Sequence, residues 1–291
     1  MVKLWSFNFF VRKQLEYFSE TISWSFLGHI GQSKAVKLTI LMPFVGYLIF
    51  FNSHIKDFLE ISYINLNSNH NSIDQNGKME IVTFNRLIFV YFGLLSLGIG
   101  SVLYSIFAPE EIKQNPLANN YVIFYNTIAT PEITKFSLNR LLRLYSEAGT
   151  DEERSRLFRF KPLNFPRIVA DRLHSFIEKV YDNTDFGEEG KNPGINEFLQ
   201  RFRSGSGYIL TDQIVMVMYR SLKVISYFSR LLINVAINYR NDVFFIEHLA
   251  MTYSKFFLRL TTFVFFVLGF LFLSIPTLET TFRILWDLLE H

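Results

Sequence analysis

Along this chain, charged residues disappear three times for about the length a helix needs to cross a bilayer. Eighteen residues, LTILMPFVGYLIFFNSHI, separate Lys37 from Lys56; 23 separate Arg86 from Glu110; and 19, LTTFVFFVLGFLFLSIPTL, separate Arg259 from Glu279. A helix rises about 1.5 Å per residue, so these runs come close to or exceed the ~30 Å hydrocarbon core. The pattern predicts an all-α, multi-pass membrane protein with three transmembrane helices. In the first run Pro43 and the polar Asn52, Ser53 and His54 leave a buried helical hairpin as the alternative.

The rest of the chain divides around these spans. Residues 1–35 form an interfacial amphipathic helix, with Leu4, Phe7, Val11, Leu15, Phe18, Ile22 and Phe26 at helical spacing and Trp5 and Trp24 suited to the headgroup level. Residues 36–109 form a transmembrane hairpin whose polar external loop, 52–85, carries a turn signal at Asn76-Gly77. Residues 110–260 form a cytoplasmic helical domain. Within it Thr130, Pro131 and Gly149 mark the two ends of one helix, Pro166 opens another, and the stretch from Thr211 to about Lys255, free of Gly and Pro, reads as one long helix or a pair divided near Asn241. Residues 261–278 are the third span and residues 279–291 an amphipathic external tail.

Positive charge orients the assembly. The first 37 residues hold Lys3, Arg12, Lys13, Lys34 and Lys37 against Glu16 and Glu20, whereas the tail holds Arg283 against Glu279, Asp287 and Glu290. The N-terminus is therefore expected in the cytoplasm of a cell with an inner membrane, and the C-terminus outside. Charges at Arg12, Lys13, Glu16 and Glu20 interrupt the start of the chain and argue against a cleavable signal peptide.

Composition changes this picture little. The chain of 291 residues is 49% hydrophobic and 19% charged and carries 33 Phe, which suits lipid contact. A net charge of +3 with no basic block gives no nucleic-acid signal, and the absence of cysteine excludes disulfides and thiol chemistry.

Two sets of residues are candidates for function. On the long helix Arg220, Lys223, Tyr227, Arg230, Asn234, Asn238 and Asn241 fall within an arc of about 80°. This basic, amide-rich stripe can face water on a packed domain, reach lipid headgroups, or line a water-filled path in an oligomer. On the second span Gly93, Ser96 and Gly100 share one face, and Gly98, Ser101, Ser105 and Ala108 another. Small residues let helix backbones approach where lipid gives no hydrophobic gain on association. One face is expected to serve the hairpin and the other either a neighbouring subunit or the same chain.

Enzyme signatures are absent: the chain has no G-x-x-x-x-G-K-[ST], H-E-x-x-H or G-x-S-x-G sequence. Asp171, His174 and Glu178 share a helix face that could hold a metal, but a solvated polar face accounts for them as well, so neither metal nor cofactor is expected. Glu247 and His248 are adjacent and should point apart on a helix.

The expectation is a homo-oligomeric membrane protein, not an enzyme, that forms a channel or permeabilises the bilayer. The arrangement of spans and domain is similar to that of membrane effectors in bacterial defence systems, which damage the host membrane once companion proteins activate them. That resemblance, of arrangement alone, implies a triggered effector. The alternative is a membrane-anchored scaffold whose cytoplasmic helices bind a protein partner without conducting.

Overall fold

The computed structural model describes residues 13–41, 76–148, 161–186, 202, 209–220 and 226–289, and among them the chain is helical with no strand. After a helical segment at 13–21 come α1 (Trp24–Gly31), α2 (Lys34–Leu38), α3 (Asn76–Phe107), α4 (Glu110–Gln114), α5 (Ala118–Ile128) and α6 (Pro131–Ala148). These are followed by α7 (Arg167–Asp182), α8 (Thr211–Arg220), α9 (Ser226–Asn238), α10 (Arg240–Thr252) and α11 (Phe256–Leu289). The chain folds as two units, one of residues 1–25 and 109–256 and the other of residues 26–108 and 257–291.

The second unit contains both helices that are long and apolar enough to cross a membrane, at Ile88–Phe107 and Phe256–Glu279. Two such helices occur among the described residues rather than the three expected. Where the first expected span begins, α2 stops at Leu38 and Thr39–Leu41 tightens into a 3-10 turn, its Thr39 hydroxyl donating to the Val36 carbonyl at 2.5 Å. Both pieces pack against α3, and residues 42–75, with the remainder of that span and most of the polar loop, lie outside the described residues. The turn expected at Asn76-Gly77 is instead the first turn of α3.

Glycines set the distance between α3 and α11. A Cβ on Gly269 would lie 2.6 Å from Leu97 Cγ and 2.9 Å from the Gly93 carbonyl oxygen; one on Gly93 would lie 2.8 Å from Leu273 Cγ and 3.0 Å from the Gly269 carbonyl oxygen. The two backbones therefore touch with nothing between them. A turn further on, the buried Phe266 ring fills the space left by Gly100, where a Cβ would sit 2.8 Å from it, and Phe89 and Phe272 close the opposite end with centroids 6.3 Å apart. α1 joins the pair through Gly31, whose carbonyl accepts the Ser101 hydroxyl at 3.2 Å, and through Gln32, whose amide donates to Tyr104 at 3.2 Å. α11 runs unbroken through Pro276, which has no N–H to give the Phe272 carbonyl, and on through the residues expected to form a separate tail.

The first unit is a helical bundle around α10, which packs against α4, α5, α6, α7 and α9. Leu138, Leu141, Leu142 and Tyr145 of α6, Val169, Leu173, Phe176, Ile177 and Val180 of α7, and Val243, Ile246 and Ala250 of α10 form one apolar core at helical spacing. The sequence signals at the start of α6 hold: Pro131 is its first residue, and Thr130 Oγ1 accepts the Ile133 amide at 3.3 Å, whereas the expected stop at Gly149 lies outside the described residues. The chain after Thr211 breaks at Tyr239, two residues before the expected division at Asn241, with φ −97° and ψ 39° and no Gly or Pro present. Packing holds that bend: Lys179 sits 4.2 Å over the Tyr239 ring while its ammonium donates to Asp242 at 2.8 Å. Trp24, placed at the headgroup level by the sequence pattern, is instead fully buried in this unit and donates its indole N–H to the Ser254 carbonyl at 2.9 Å. An indole has one donor, and the end of α10 offers a carbonyl to satisfy it.

Because the Gly93 carbonyl is backbone and cannot rotate away, Gly269→Ala should separate α3 from α11 and cost about 2 kcal/mol. Thermal unfolding of the detergent-solubilised protein should show a lower midpoint for this variant and an unchanged one for Ser105→Ala, whose side chain is exposed.

Candidate functional site

The small-residue positions of α3 are used within the chain. Gly93, Ser96, Gly98, Gly100 and Ser101 are buried, the first face against α11 and Ser101 against α1. Ser105 alone of the six is exposed, on a side of α3 shared with Val102 and Ile106. The close partner of the Gly93 face is the C-terminal helix.

The basic stripe divides. Arg230, Asn234 and Asn238 are exposed along α9, while Phe228, Ser229, Leu232 and Ala236 on its other side are buried and Leu232 and Ala236 belong to the bundle core. That pattern is a packed helix with a polar outer edge. Arg220 is the last residue of α8 and Tyr227 the second of α9, their side chains outside what the structure describes, and Lys223 lies outside the described residues. Asn241 belongs to α10 and accepts the Asn126 amide at 2.8 Å.

Sequence reasoning passed over the most organised chemistry in the bundle. Glu247, on α10, is fully buried, and donors from two other helices reach its carboxylate: Arg140 Nε at 2.7 Å and the Tyr121 hydroxyl at 3.0 Å, with Ser137 adding a hydrogen bond. Arg140 turns its Nη1 to Glu111 of α4 at 2.5 Å and its Nη2 to the Tyr121 oxygen at 3.4 Å. One guanidinium thus spans two carboxylates, as its planar fork of donors allows. Burial pushes the Glu247 carboxyl above its usual range despite these donors, whereas at half-buried Glu111 burial is outweighed by the Arg140 hydrogen bond, a backbone hydrogen bond and the Arg140 charge together, and the carboxyl is held below it. Burial and the neighbouring Glu247 raise the Tyr121 phenol, and the two carboxylates keep Arg140 protonated although burial opposes its charge.

His248 points away from Glu247, as expected of neighbours on a helix, yet it too is buried. Its Nε2 lies 2.9 Å from the Asn115 carbonyl, just past the end of α4, so Nε2 carries the proton and donates. Nδ1 has no hydrogen-bond partner among the described residues, and burial lowers the imidazole from its usual value. Of the other polar trio, Asp171 and Glu178 are exposed on α7, and His174 lies 2.9 Å from the Tyr145 hydroxyl, which donates in turn to Asp212 of α8. That chain of bonds ties α6, α7 and α8 together. The missed signal was positional: Glu247 falls four residues from both Val243 and Met251 on the apolar face of α10, where a solvated charge does not belong.

No protein-family model, no curated protein and no solved structure matches this chain. Its chemistry is therefore read from its own residues.

Removing Arg140 leaves a carboxylate buried and short of donors. Arg140→Met should cost about 3 kcal/mol in denaturant unfolding, and Arg140→Met combined with Glu247→Leu should recover most of it.

Acid should also loosen this region. The folded state favours neutral His248, so the unfolded state binds the extra proton, and stability falls as pH drops below the unfolded histidine value of about 6.5. Glu111 adds a loss of the same sign, confined to pH below its unfolded value of about 4.3, while Glu247, shifted upward, acts in the opposite sense above that value. Unfolding midpoints at pH 7.5 and 5.5 should differ less in His248→Gln, which can still donate to Asn115, than in the parent.

Proposed function

We propose that this protein is a membrane-anchored helical scaffold: α3 and α11 cross the bilayer as a tight pair, and the bundle of residues 109–256 binds a protein partner on the cytoplasmic side. One observation carries the reading. The spans hold no charge between Arg86 and Glu110 or between Arg259 and Glu279, while the described part of the basic stripe lies on the outer edge of a packed helix in the bundle. A pore needs polar groups at membrane depth, and the hydroxyls in the spans are spent close to home: Ser101 on the Gly31 carbonyl, Thr262 on Leu258 and Ser274 on Phe270. Arg230, Asn234 and Asn238 instead offer a charge and two amides to a protein surface.

A second reading, a homo-oligomer that conducts or permeabilises as a triggered effector, draws on the exposed Ser105 between Val102 and Ile106, a small residue open to a neighbouring subunit. Both readings place the protein in a cell membrane with its N-terminus inside, by the distribution of Lys and Arg.

Purified protein in liposomes distinguishes them. The scaffold gives no ion flux at any protein-to-lipid ratio, and Arg230→Glu weakens co-purification of its partner from the native host about tenfold. Flux abolished by Ser105→Leu with partner binding intact would establish the conducting oligomer instead.

A further inference from the structure

The outward face of α5 differs from every other described outer face of the bundle. α7 exposes Arg167, Asp171, Arg172, Glu178 and Lys179 around a single large apolar residue, Ile168, and α6 exposes Glu132, Lys135, Arg143 and Glu147 around Phe136. By contrast, α5 and the residue capping it expose Leu117, Ile123, Phe124 and Ile128 beside Asn119, Asn120 and Thr127. No charge occurs between Lys113 and Glu132, a run of 18 residues in which the chain's 19% charged content would place about three. Single exposed apolar residues are ordinary, but three within one short helix and a fourth capping it, with no charge beside them, are a surface that something covers.

The inner face of α5 is fully committed, so the helix is rigidly presented. Tyr121 is buried on Glu247, Tyr125 stacks on Tyr121 with centroids 4.3 Å apart and on Phe244 at 5.4 Å, and Asn126 bonds Asn241. Ile123 lies about 160° around the helix from Tyr121–Tyr125, away from the core.

We propose that α5 rests on the bilayer, Ile123 and Phe124 entering the headgroup and upper acyl region while Asn120 and Thr127, which lie between them around the helix, bond to lipid headgroups. The inference rests on the membrane reading of α3. Ten residues join Phe107, the last residue of that span, to Ala118, and five of them are helical, so the chain path is at most about 30 Å. α5 is thus held by its own backbone within reach of the interface, at a local concentration no soluble partner shares. A charge-free face in which large apolar groups alternate with short amides and a hydroxyl suits the headgroup layer, since no ion must be desolvated to enter it. Against a protein partner the same face would lack the charges that the α9 edge has.

Because the chain has no cysteine, a single Cys can be labelled alone. Full-length Ile123→Cys, Phe124→Cys, Asp171→Cys and Phe270→Cys, each carrying an environment-sensitive fluorophore, would be reconstituted in liposomes containing lipids with a nitroxide either near the headgroup or deep in the acyl chain. The expected result is a blue shift and loss of most emission at 123 and 124 with the shallow quencher, at 270 with the deep one, and at 171 with neither. Quenching at 270 with 123 and 124 as water-exposed as 171 overturns the inference while leaving the spans intact. No quenching at 270 overturns the membrane reading itself. A blue shift at 123 and 124 that shallow nitroxide leaves unquenched, and that fades on dilution of protein in lipid, assigns the face to a second copy and overturns contact with lipid.

Discussion

A carboxylate shut away from water must be met by donors, and meeting Glu247 organises the bundle. Its partners come from α5 and α6, and the arginine that meets it also holds α4. Four helices are fixed in angle and register because a buried charge tolerates little displacement of its donors. An apolar core of the same volume would be as stable or more so, but it would permit sliding by a turn; a guanidinium bonded to two carboxylates does not. The consequence reaches the surface. With Tyr121 held inward, Ile123 and Phe124 must face outward, and with α10 fixed, α9 packs by Leu232 and Ala236 and leaves Arg230, Asn234 and Asn238 on its open edge.

The second unit solves a different problem. Here α3 and α11 associate by close packing and a few hydrogen bonds, the means open to apolar helices where hiding leucine brings no gain. Gly93 and Gly269 supply the closeness, each occupying the space where the other's Cβ would stand, and Ser101 supplies a bond to the Gly31 carbonyl. The outward residues Val264, Val267, Leu268, Phe270 and Leu271 of α11 remain exposed.

Much of this was legible in the sequence, and the limits have physical causes. The charge-free runs located α3 and α11 because a helix long and apolar enough to span a bilayer leaves an unbroken record in the sequence. The small faces of α3 were visible for the same reason, since a missing side chain at i, i+3 and i+7 is itself the feature. The cap and proline fixed the start of α6. What stayed hidden depends on residues far apart in the chain: the bend at Tyr239 is held by Lys179, the fate of Trp24 by Ser254, and the role of Glu247 by Arg140 and Tyr121, more than a hundred positions away. Periodicity reports which side of a helix is buried, but it cannot name the group on the other side. Of the stripe, Arg230, Asn234 and Asn238 stand together on α9, and only the neighbouring core residues show which way they turn.

The same logic explains why the bundle can carry two dissimilar surfaces without either weakening it. Arg230, Asn234 and Asn238 contribute little to stability where they stand, because exposed charges and amides exchange one set of hydrogen bonds for another. Ile123 and Phe124 likewise hold nothing together, since their helix is already anchored by Tyr121, Tyr125 and Asn126 from the other side. Residues free of structural work are where recognition can be placed. Here that freedom follows from the buried ion pair, which concentrates the specification of the fold in a few interior groups and leaves the outer faces of α5 and α9 to be set by what they meet.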